Sequence, residues 1–364
     1  MTEPEPLQPV DRTYVRFRGR KFSSFSGCDY FRMASHPAVL KAVADGLKKY
    51  GLSVSASRVT TGNHSLYSKL EGELAKFFGA ESALVVPTGY LAGQAVAQAL
   101  AGNYSHALID ENSHPASQDV VARMDCPVLK FKHRDPADFV ERVKRCGPGA
   151  RIAVFTDGMF AYDGAVVPLG EYLAVLPKDG VIVVDDAHAA GILGKTGKGS
   201  VEVAGVSRKQ IIQCVTLSKA FGAYGGAVLC SGTLRKQIVT RSRMFIGSTP
   251  FPLPLANAAL TATKLLRDSR FRTRLNANAA FVKRELVKAG FEMLDTPGPI
   301  VPVVAENARQ TRVLRRMLLA AEIYPPLLRY PGSPEGYFRF VISSEHSRDQ
   351  LATLAGVLVA FKKK

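Results

Sequence analysis

The sequence predicts an α/β fold with a mainly parallel central sheet flanked by helices. Short apolar runs rich in β-branched residues alternate with helical patterns through the first two thirds of the chain, an order typical of parallel sheets. Several runs end in acidic or polar residues, and ligands of open α/β sheets bind at that carboxyl edge. Six runs predict buried strands: 83–87, 106–110, 152–158, 181–186, 211–217 and 226–230.

The predicted helices begin and end at recognisable residues. Ser35 is the expected N-cap of a first helix that has Pro37 in its first turn and is followed by Gly51. After a Pro-rich break, residues 256–289 predict one long basic amphipathic helix that Gly290 ends. The change of pattern predicts three parts: an N-terminal segment 1–35, a large α/β domain 36–255 and a smaller α+β C-terminal domain 256–364.

The charge balance limits the classes of partner. With 48 Lys and Arg against 31 Asp and Glu, the chain has a formal net charge of +17. Such an excess suits nucleic acid, a membrane surface or a polyanionic substrate such as a coenzyme A thioester. The basic residues are spread along the chain without an aromatic-interleaved stripe, so we expect no nucleic-acid partner. No apolar run reaches membrane-spanning length, so we expect no membrane span.

The five cysteines are scattered and show neither a CxxC pair nor metal-ligand spacing. An odd number of such cysteines favours a reducing compartment, and we expect no metal site. The acidic, Pro-rich N-terminus does not resemble a secretory signal peptide. We therefore predict a cytoplasmic protein.

The chemistry is concentrated in residues 181–219. The strand VIVVDD ends in two carboxylates and is followed by His188, and Lys219 follows the apolar run IIQCV. Singly, such a lysine is usually a surface residue and such an acid usually a turn or cap residue. Together at one sheet edge, an acid, an imidazole and an amine suit pyridoxal phosphate (PLP). The amine would form the Schiff base, and the acid would keep the pyridinium nitrogen protonated.

Three further segments hold candidate site residues. The backbone N–H groups of Thr88, Gly89 and Tyr90 follow a strand and open a helix, which is an anion site for a phosphate. An ordinary strand-to-helix turn has the same pattern. His114 follows another strand and either stacks on the cofactor ring, assists proton transfer or is simply an exposed loop residue. Arg339, on a later strand, is placed to clamp a substrate carboxylate.

Taken jointly, the motifs resemble those of the α-oxoamine synthases, a family of fold-type-I PLP-dependent enzymes. The resemblance runs from about residue 28 to the end, in the order and spacing of the family. The motifs are SRVTTGNHSLYSKLEGELAKFFGAESALVVPTGY, DENSHPAS, TDGMFAYDGAVVPL, VDDAHAAGILGKTGKG, TLSKAFGAYGG, FIGSTPFP and FRFVISSEHS.

The resemblance implies roles around the cofactor ring. Lys219 would be the Schiff-base lysine and would move the Cα proton. Asp185 would bind the pyridinium nitrogen, and His188 would contact the phenolic oxygen. His114 would stack on the ring, so Lys219, His188 and His114 are the expected catalytic residues.

The resemblance also implies phosphate and substrate contacts. Arg339 would hold the amino-acid carboxylate, and His64 matches a histidine near the active-site loop of the family. The site would be shared across a homodimer. The implied phosphate contacts are Thr88, Gly89, Tyr90 and Thr216, with Ser248 and Thr249 reaching in from the partner subunit.

The implied reaction joins a small amino acid (Gly, Ala or Ser) to an acyl-CoA or acyl-carrier thioester, usually with decarboxylation, to give an α-amino ketone. Departures from the family pattern include the loop 51–58, which is not glycine-rich, and Ala161 in place of a serine. They leave open an aminotransferase, decarboxylase or aldolase of the same fold that uses no acyl thioester. The positive charge leaves open a non-catalytic or nucleic-acid-associated protein.

Overall fold

The computed structural model describes residues 5–328 and 336–363, and the chain forms two compact units. The larger unit consists of Met33–Phe160 and Val166–Ser269. The smaller unit consists of the described residues of Met1–Arg32, Ala161–Ala165 and Arg270–Lys364. The N-terminal segment and the C-terminal region therefore share one unit. The three-part division expected from the sequence stays a prediction.

The described residues form thirteen strands, thirteen α-helices and two short 3-10 helices. The strands are β1 (Gln8–Asp11), β2 (Tyr14–Phe17), β3 (Arg20–Ser23), β4 (Ser82–Val86), β5 (His106–Asp110), β6 (Val128–Phe131), β7 (Ile152–Asp157), β8 (Val181–Asp185), β9 (Ile211–Thr216), β10 (Gly226–Cys230), β11 (Ile300–Val303), β12 (Leu327–Leu328) and β13 (Tyr337–Val341). The helices are α1 (Pro37–Tyr50), α2 (Ser65–Phe78), α3 (Gly89–Leu100), α4 (Pro115–Val121), α5 (Pro136–Arg145), α6 (Leu169–Val175), α7 (Ser200–Ala204), α8 (Gly232–Arg241), α9 (Arg243–Gly247), α10 (Leu253–Leu265), α11 (Ser269–Lys288), α12 (Ala308–Ala320) and α13 (Arg348–Lys362).

The larger unit is built on a seven-stranded sheet in the order β4-β10-β9-β8-β7-β5-β6. The five strands from β9 to β6 are parallel, and β10 runs antiparallel to both of its neighbours. This confirms the predicted mainly parallel sheet. All six predicted strands are present. They could be predicted because strands that are covered on both faces have continuous apolar runs in the sequence. The sequence did not predict β6, whose residues VLKF are largely exposed at the sheet edge.

The core of the larger unit lies between this sheet and its helices. Helix α3 packs against β9 and β10 through small residues, and Val96, Phe155 and Val183 belong to one buried cluster. Full burial of a side chain of this kind stabilises the fold by about 1.5–3 kcal/mol relative to exposure. The packing fixes the strands in register, and therefore fixes the positions of their carboxyl ends.

The long helix predicted over 256–289 is wrong, because two helices occupy this range. Helix α10 ends at Leu265 and packs on α1 and α2, whereas α11 starts at Ser269 and belongs almost entirely to the smaller unit. The sequence pattern is continuous over both helices, but each helix packs in a different unit, and the chain breaks between them. No helix within the described ranges combines the length and apolar character needed to cross a bilayer.

Histidine side chains cap three helices of the larger unit. The predicted N-cap Ser35 is wrong, because His36 caps α1 through Nδ1, which accepts from the Ala38 N–H at 3.2 Å. His64 and His114 cap α2 and α4 in the same way, at 3.1 Å each. Histidine is not a preferred N-cap residue, so propensity favoured the neighbouring serine.

The loop before α2 is held by a buried ionic cluster. Ser55 has a φ of 50°, in the left-handed region that favours glycine. Two residues further, the Ser57 hydroxyl donates to the Ile246 carbonyl at 2.6 Å. Arg58 donates to Glu71, and the other carboxylate oxygen of Glu71 accepts from Arg235 at 3.0 Å. The loop that departs from the family pattern is thus tied directly to α2 and α9, and through Glu71 to α8.

The smaller unit has its own sheets and core. Strands β11, β13 and β12 form an antiparallel sheet in that order, and helices α11, α12 and α13 contribute to a buried cluster with it. The N-terminal strands β1, β2 and β3 form a separate antiparallel sheet. His346 joins the two ends of the chain. Its Nδ1 accepts from the Ser343 N–H at 3.0 Å, its Nε2 donates to the Ser24 carbonyl at 2.9 Å, and its ring stacks on Phe25.

Removing the shared carboxylate of the ionic cluster should destabilise the protein strongly. Glu71 and Arg58 are 5% and 8% exposed. We expect Glu71→Ala to lower the free energy of unfolding by about 3–5 kcal/mol, because Arg58 is left as a buried charge without its carboxylate. Urea denaturation measures this loss. The control Glu73→Ala, on the same helix, removes a more exposed pair with Arg267 and should cost about 1 kcal/mol or less. Equal losses would contradict the role of the cluster.

The buried His346 should make stability fall in mild acid. Burial, with a smaller effect of Arg32, lowers the pKa of His346 to about 3. Unfolded chains bind this proton near pH 6.5, so acid favours unfolding as the pH falls from about 6.5 toward the folded-state value. His346→Gln should flatten the dependence of the unfolding free energy on pH across that window, as measured by urea denaturation. An unchanged slope would contradict this assignment.

Candidate active site

The carboxyl ends of β8 and β9 place the predicted amine, imidazole and acid in one unit. Asp185 ends β8 and lies opposite Cys214 of β9 in the parallel register. Lys219 follows β9, and its Nζ donates to Nε2 of His188 at 2.8 Å. Lys219 and His188 are therefore in direct contact, as the motif order suggested.

A tight turn directs His188 back toward Lys219. The Ala187 N–H donates to Oδ1 of Asp185 at 3.0 Å, which holds the carboxylate at the strand end. The Asp186 carbonyl accepts from the N–H groups of Ala189 and Ala190, at 3.0 and 2.8 Å. These hydrogen bonds restrict the backbone of the turn, and His188 is buried within it.

Asp157, which the sequence reading did not assign, is part of the same site. It ends β7 and lies opposite Asp185 in register. The His114 N–H donates to both of its carboxylate oxygens, at 3.2 and 3.1 Å, and the Ser117 hydroxyl donates to Oδ1 at 3.3 Å. Burial and the neighbouring Asp185 raise the pKa of Asp157 well above its usual range. The sequence signal for Asp157 was an acidic residue at the end of a predicted strand, as at Asp185.

The segment predicted to bind an anion lies at the N-terminus of α3. Thr88 is the N-cap, and its hydroxyl accepts from the Leu91 N–H at 3.3 Å. At Gly89, a Cβ atom would lie 2.6 Å from Cβ of Thr216, so only glycine lets this turn approach the end of β9. The Thr216 hydroxyl is 2.7 Å from that of Ser218. Backbone donors and hydroxyl groups thus converge at the positive end of a helix dipole.

A cavity lies between the first turns of α3 and α4 and the ends of β7, β8 and β9. Apolar side chains of three adjacent strands form one wall, Asp185 stands at one side and the α3 N-terminus at another. A helix N-terminus on one side and a carboxylate on another are the groups that would suit the phosphate and the ring nitrogen of PLP. The residues present therefore fit PLP. The lining residues are Gly89, Tyr90, Gly93, Ala116, Ser117, Val120, Phe155, Val183, Asp185 and Cys214.

The other predicted site residues have partners of their own. Arg339 is on β13 of the smaller unit, and its Nη1 donates to the Ala161 carbonyl at 3.0 Å. His64 caps α2, and its ring lies 5.1 Å from that of Tyr50. Ser248 follows α9 with its hydroxyl bonded to the Met244 carbonyl, and Thr249 is exposed. Their roles toward a substrate or a partner subunit stay predictions.

Comparison with known proteins agrees with this site. A family model described as aminotransferase class I and II matches residues 25–358. The chain is 32% identical to 8-amino-7-oxononanoate synthase of Thioalkalivibrio sulfidiphilus over 97% of this chain and 90% of that protein. It is 33% identical to the enzyme of the same name from Thermosipho melanesiensis, over 95% and 89% of the two chains.

Solved structures give the same result. The serine palmitoyltransferase of Sphingomonas wittichii superposes with a TM-score of 0.92 and 27% identity, covering 100% of this chain and 93% of that one. Other serine palmitoyltransferase structures among the matches contain PLP. The chain belongs to the aminotransferase class I and II family and, within it, to the α-oxoamine synthases, which are fold-type-I PLP-dependent acyltransferases.

Proposed function

We propose that this chain condenses a small amino acid with an acyl thioester and releases CO₂ and a thiol, in the manner of an 8-amino-7-oxononanoate synthase. The observation that carries the proposal is the 2.8 Å contact between Lys219 and His188, beside Asp185 at the carboxyl edge of the sheet. The names of the relatives indicate the product class.

The name of that product defines the substrates to test. An amine on C8 and a ketone on C7 of a nine-carbon acid correspond to a two-carbon amine fragment joined to a seven-carbon dicarboxylic acyl group. Alanine supplies that fragment when its carboxyl group leaves as CO₂. The name serine palmitoyltransferase indicates a second pair, serine with a palmitoyl thioester.

The residues of the site would divide the work as follows. Bound PLP supplies an electron sink for a carbanion at the substrate Cα. Lys219 would hold the cofactor covalently, and its freed Nζ would take the Cα proton. His188 contacts that Nζ at 2.8 Å and so would keep the amine aimed into the site. The Asp185 carboxylate would keep the ring nitrogen protonated.

His114 and the α3 N-terminus would hold the rest of the cofactor. Asp157 fixes the backbone of His114, which supports its proposed stacking on the ring. The N–H groups of Gly89 and Tyr90, with the hydroxyls of Thr88 and Thr216, would bind the phosphate.

The substrate contacts and the assembly are also proposals. Arg339 would bind the amino-acid carboxylate bidentately, and His64 would lie near the acyl substrate. Ser248 and Thr249 of one protomer would complete the phosphate site of the other in a homodimer. The proposed cytoplasmic location is supported by five cysteines that are all free.

Thiol release assays test the proposed reaction. Purified protein loaded with PLP is given heptanedioyl-CoA with L-alanine, palmitoyl-CoA with L-serine, and each acyl-CoA with glycine. Release that needs both components supports acyl transfer and identifies the pair. Conversion of an amino acid alone, with no response to any acyl-CoA, would instead favour an aminotransferase, a decarboxylase or an aldolase.

Lys219→Ala should abolish thiol release. We expect a loss of about 10³-fold or more, because both the covalent anchor and the proton acceptor are removed. The control Lys195→Ala changes an exposed lysine near the site in sequence and should keep the rate within about twofold. Comparable rates for the two variants would rule out the proposed role of Lys219.

Gly89→Ala should weaken PLP binding without changing any charge. The added Cβ would lie 2.6 Å from Cβ of Thr216 and would force α3 away from β9. We expect the PLP dissociation constant, measured by titrating the apoprotein, to rise by about tenfold or more. Gly72→Ala in α2, where no atom lies within 4 Å of the new Cβ, is the matched control and should bind PLP normally. Unchanged affinity in Gly89→Ala would argue against this phosphate site.

A further inference from the structure

Next to Asp185 lies a second carboxylate with a different environment. The Asp186 side chain is 0% exposed. Its Oδ2 accepts from the Ser200 N–H at 3.0 Å and from Nε2 of Gln213 at 2.5 Å. Burial raises the pKa of Asp186 to about 6, although these two donors favour the charged form. Asp186 is thus a buried, tightly held carboxylate directly next to Asp185, the acid proposed to bind the cofactor.

The orientation of Gln213 is determined by its other partners. Nη2 of Arg208 donates to Oε1 of Gln213 at 2.8 Å. Because a guanidinium group only donates, the amide oxygen must face Arg208 and the amide NH₂ must face Asp186. The same NH₂ donates to the Lys198 carbonyl at 2.9 Å. Arg208, Gln213 and Asp186 thus form a chain of hydrogen bonds with one possible direction.

The surrounding backbone leaves the Asp186 carboxylate a single position. A Cβ atom at Gly158 would lie 1.7 Å from Oδ1, and one at Gly199 would lie 1.9 Å from Oδ2. Both segments therefore approach the carboxylate with backbone alone. The position of Asp186 is set by hydrogen bonds on one side and by close packing on the others.

Fixing this side chain fixes the turn that carries the catalytic groups. The Asp186 N–H donates to the Cys214 carbonyl at 2.8 Å, and its carbonyl accepts from the N–H groups of Ala189 and Ala190. Asp185 comes immediately before it, and His188 lies inside the hydrogen-bonded turn. Any rotation of residue 186 would therefore move both Asp185 and His188.

We propose that Asp186, oriented by Gln213 and Arg208, is a positioning residue that sets the placement of Asp185 and His188 for PLP. The inference rests on the proposed roles of Asp185 and His188. It extends the site to groups that do not touch the cofactor.

The test compares two glutamine variants that remove buried amides. Gln213→Leu keeps the side-chain volume and removes the chain of hydrogen bonds. The matched control Gln350→Leu removes a buried glutamine of the smaller unit, which bonds to Ser347 and Ser23. The readouts are the PLP dissociation constant of the apoprotein, the pH midpoint of the visible absorption band of the PLP-loaded protein, and the melting temperature of the apoprotein.

We expect Gln213→Leu to weaken PLP binding by about tenfold and to shift the absorption midpoint, because one charge-assisted hydrogen bond is lost at the turn. Gln350→Leu should lower the melting temperature while leaving both PLP readouts at the wild-type values. Asp186→Asn preserves the acceptor for Ser200 and Gln213, so its PLP affinity should stay within about threefold of the wild type.

Two results would overturn the proposal. One is equal PLP affinity in Gln213→Leu and Gln350→Leu, which would reduce Gln213 to a stabilising residue. The other is an Asp186→Asn variant as impaired as Gln213→Leu, which would show that charge matters and position does not. A wild-type protein that fails to bind PLP would instead overturn the proposed function, and this inference with it.

Discussion

Three carboxylates lie close together at the ends of two adjacent strands, and each of them is buried or partly buried and has its own set of partners. Asp157 and Asp185 lie opposite each other in register, and Asp186 follows directly. Each is compensated differently. Asp157 has a raised pKa and backbone donors from His114, whereas Asp186 is held by Gln213 and Ser200. Asp185 remains the acid that faces the cavity, where a protonated ring nitrogen would offset its charge.

The parallel sheet makes this arrangement possible. Parallel strands end at the same edge, so residues far apart in sequence arrive side by side. The α3 N-terminus and the end of β9 then approach each other through Gly89, and the same strand leads to Lys219. The proposed contacts to the phosphate and to the ring of the cofactor would thus depend on β9 and its two neighbours. The fold therefore supports the site through a small, well-packed region.

The sequence predicted the parts of this molecule that depend on local pattern. The buried strands could be predicted because continuous apolar runs are specific for them. The proximity of Lys219 and His188 could be predicted because both residues follow buried strands of one sheet. The break at 266–268 was missed because the two halves of the predicted helix pack in separate units. The partners Arg208 and Gln213 were missed because their contacts join segments without a recognisable motif.

Polar pairs that no local pattern indicates were also outside the reach of the sequence analysis. The pair of Arg58 and Glu71 and the bonds of His346 each join segments that no local periodicity relates. His36 caps a helix from a residue type that propensity ranks below serine. Sequence patterns therefore predict helices and strands better than they predict the hydrogen bonds and ion pairs between them.

Ser55 illustrates how a single residue changes the behaviour of the loop before α2. A glycine at this position would adopt the φ of 50° that Ser55 has without steric cost, but it would lose more conformational entropy on folding. Serine costs about 1 kcal/mol or more of backbone strain, while its unfolded ensemble is narrower. The loop is also anchored at Ser57 and Arg58. These contacts leave the loop little conformational freedom once the protein has folded, so any molecule that contacts it would meet a preformed surface.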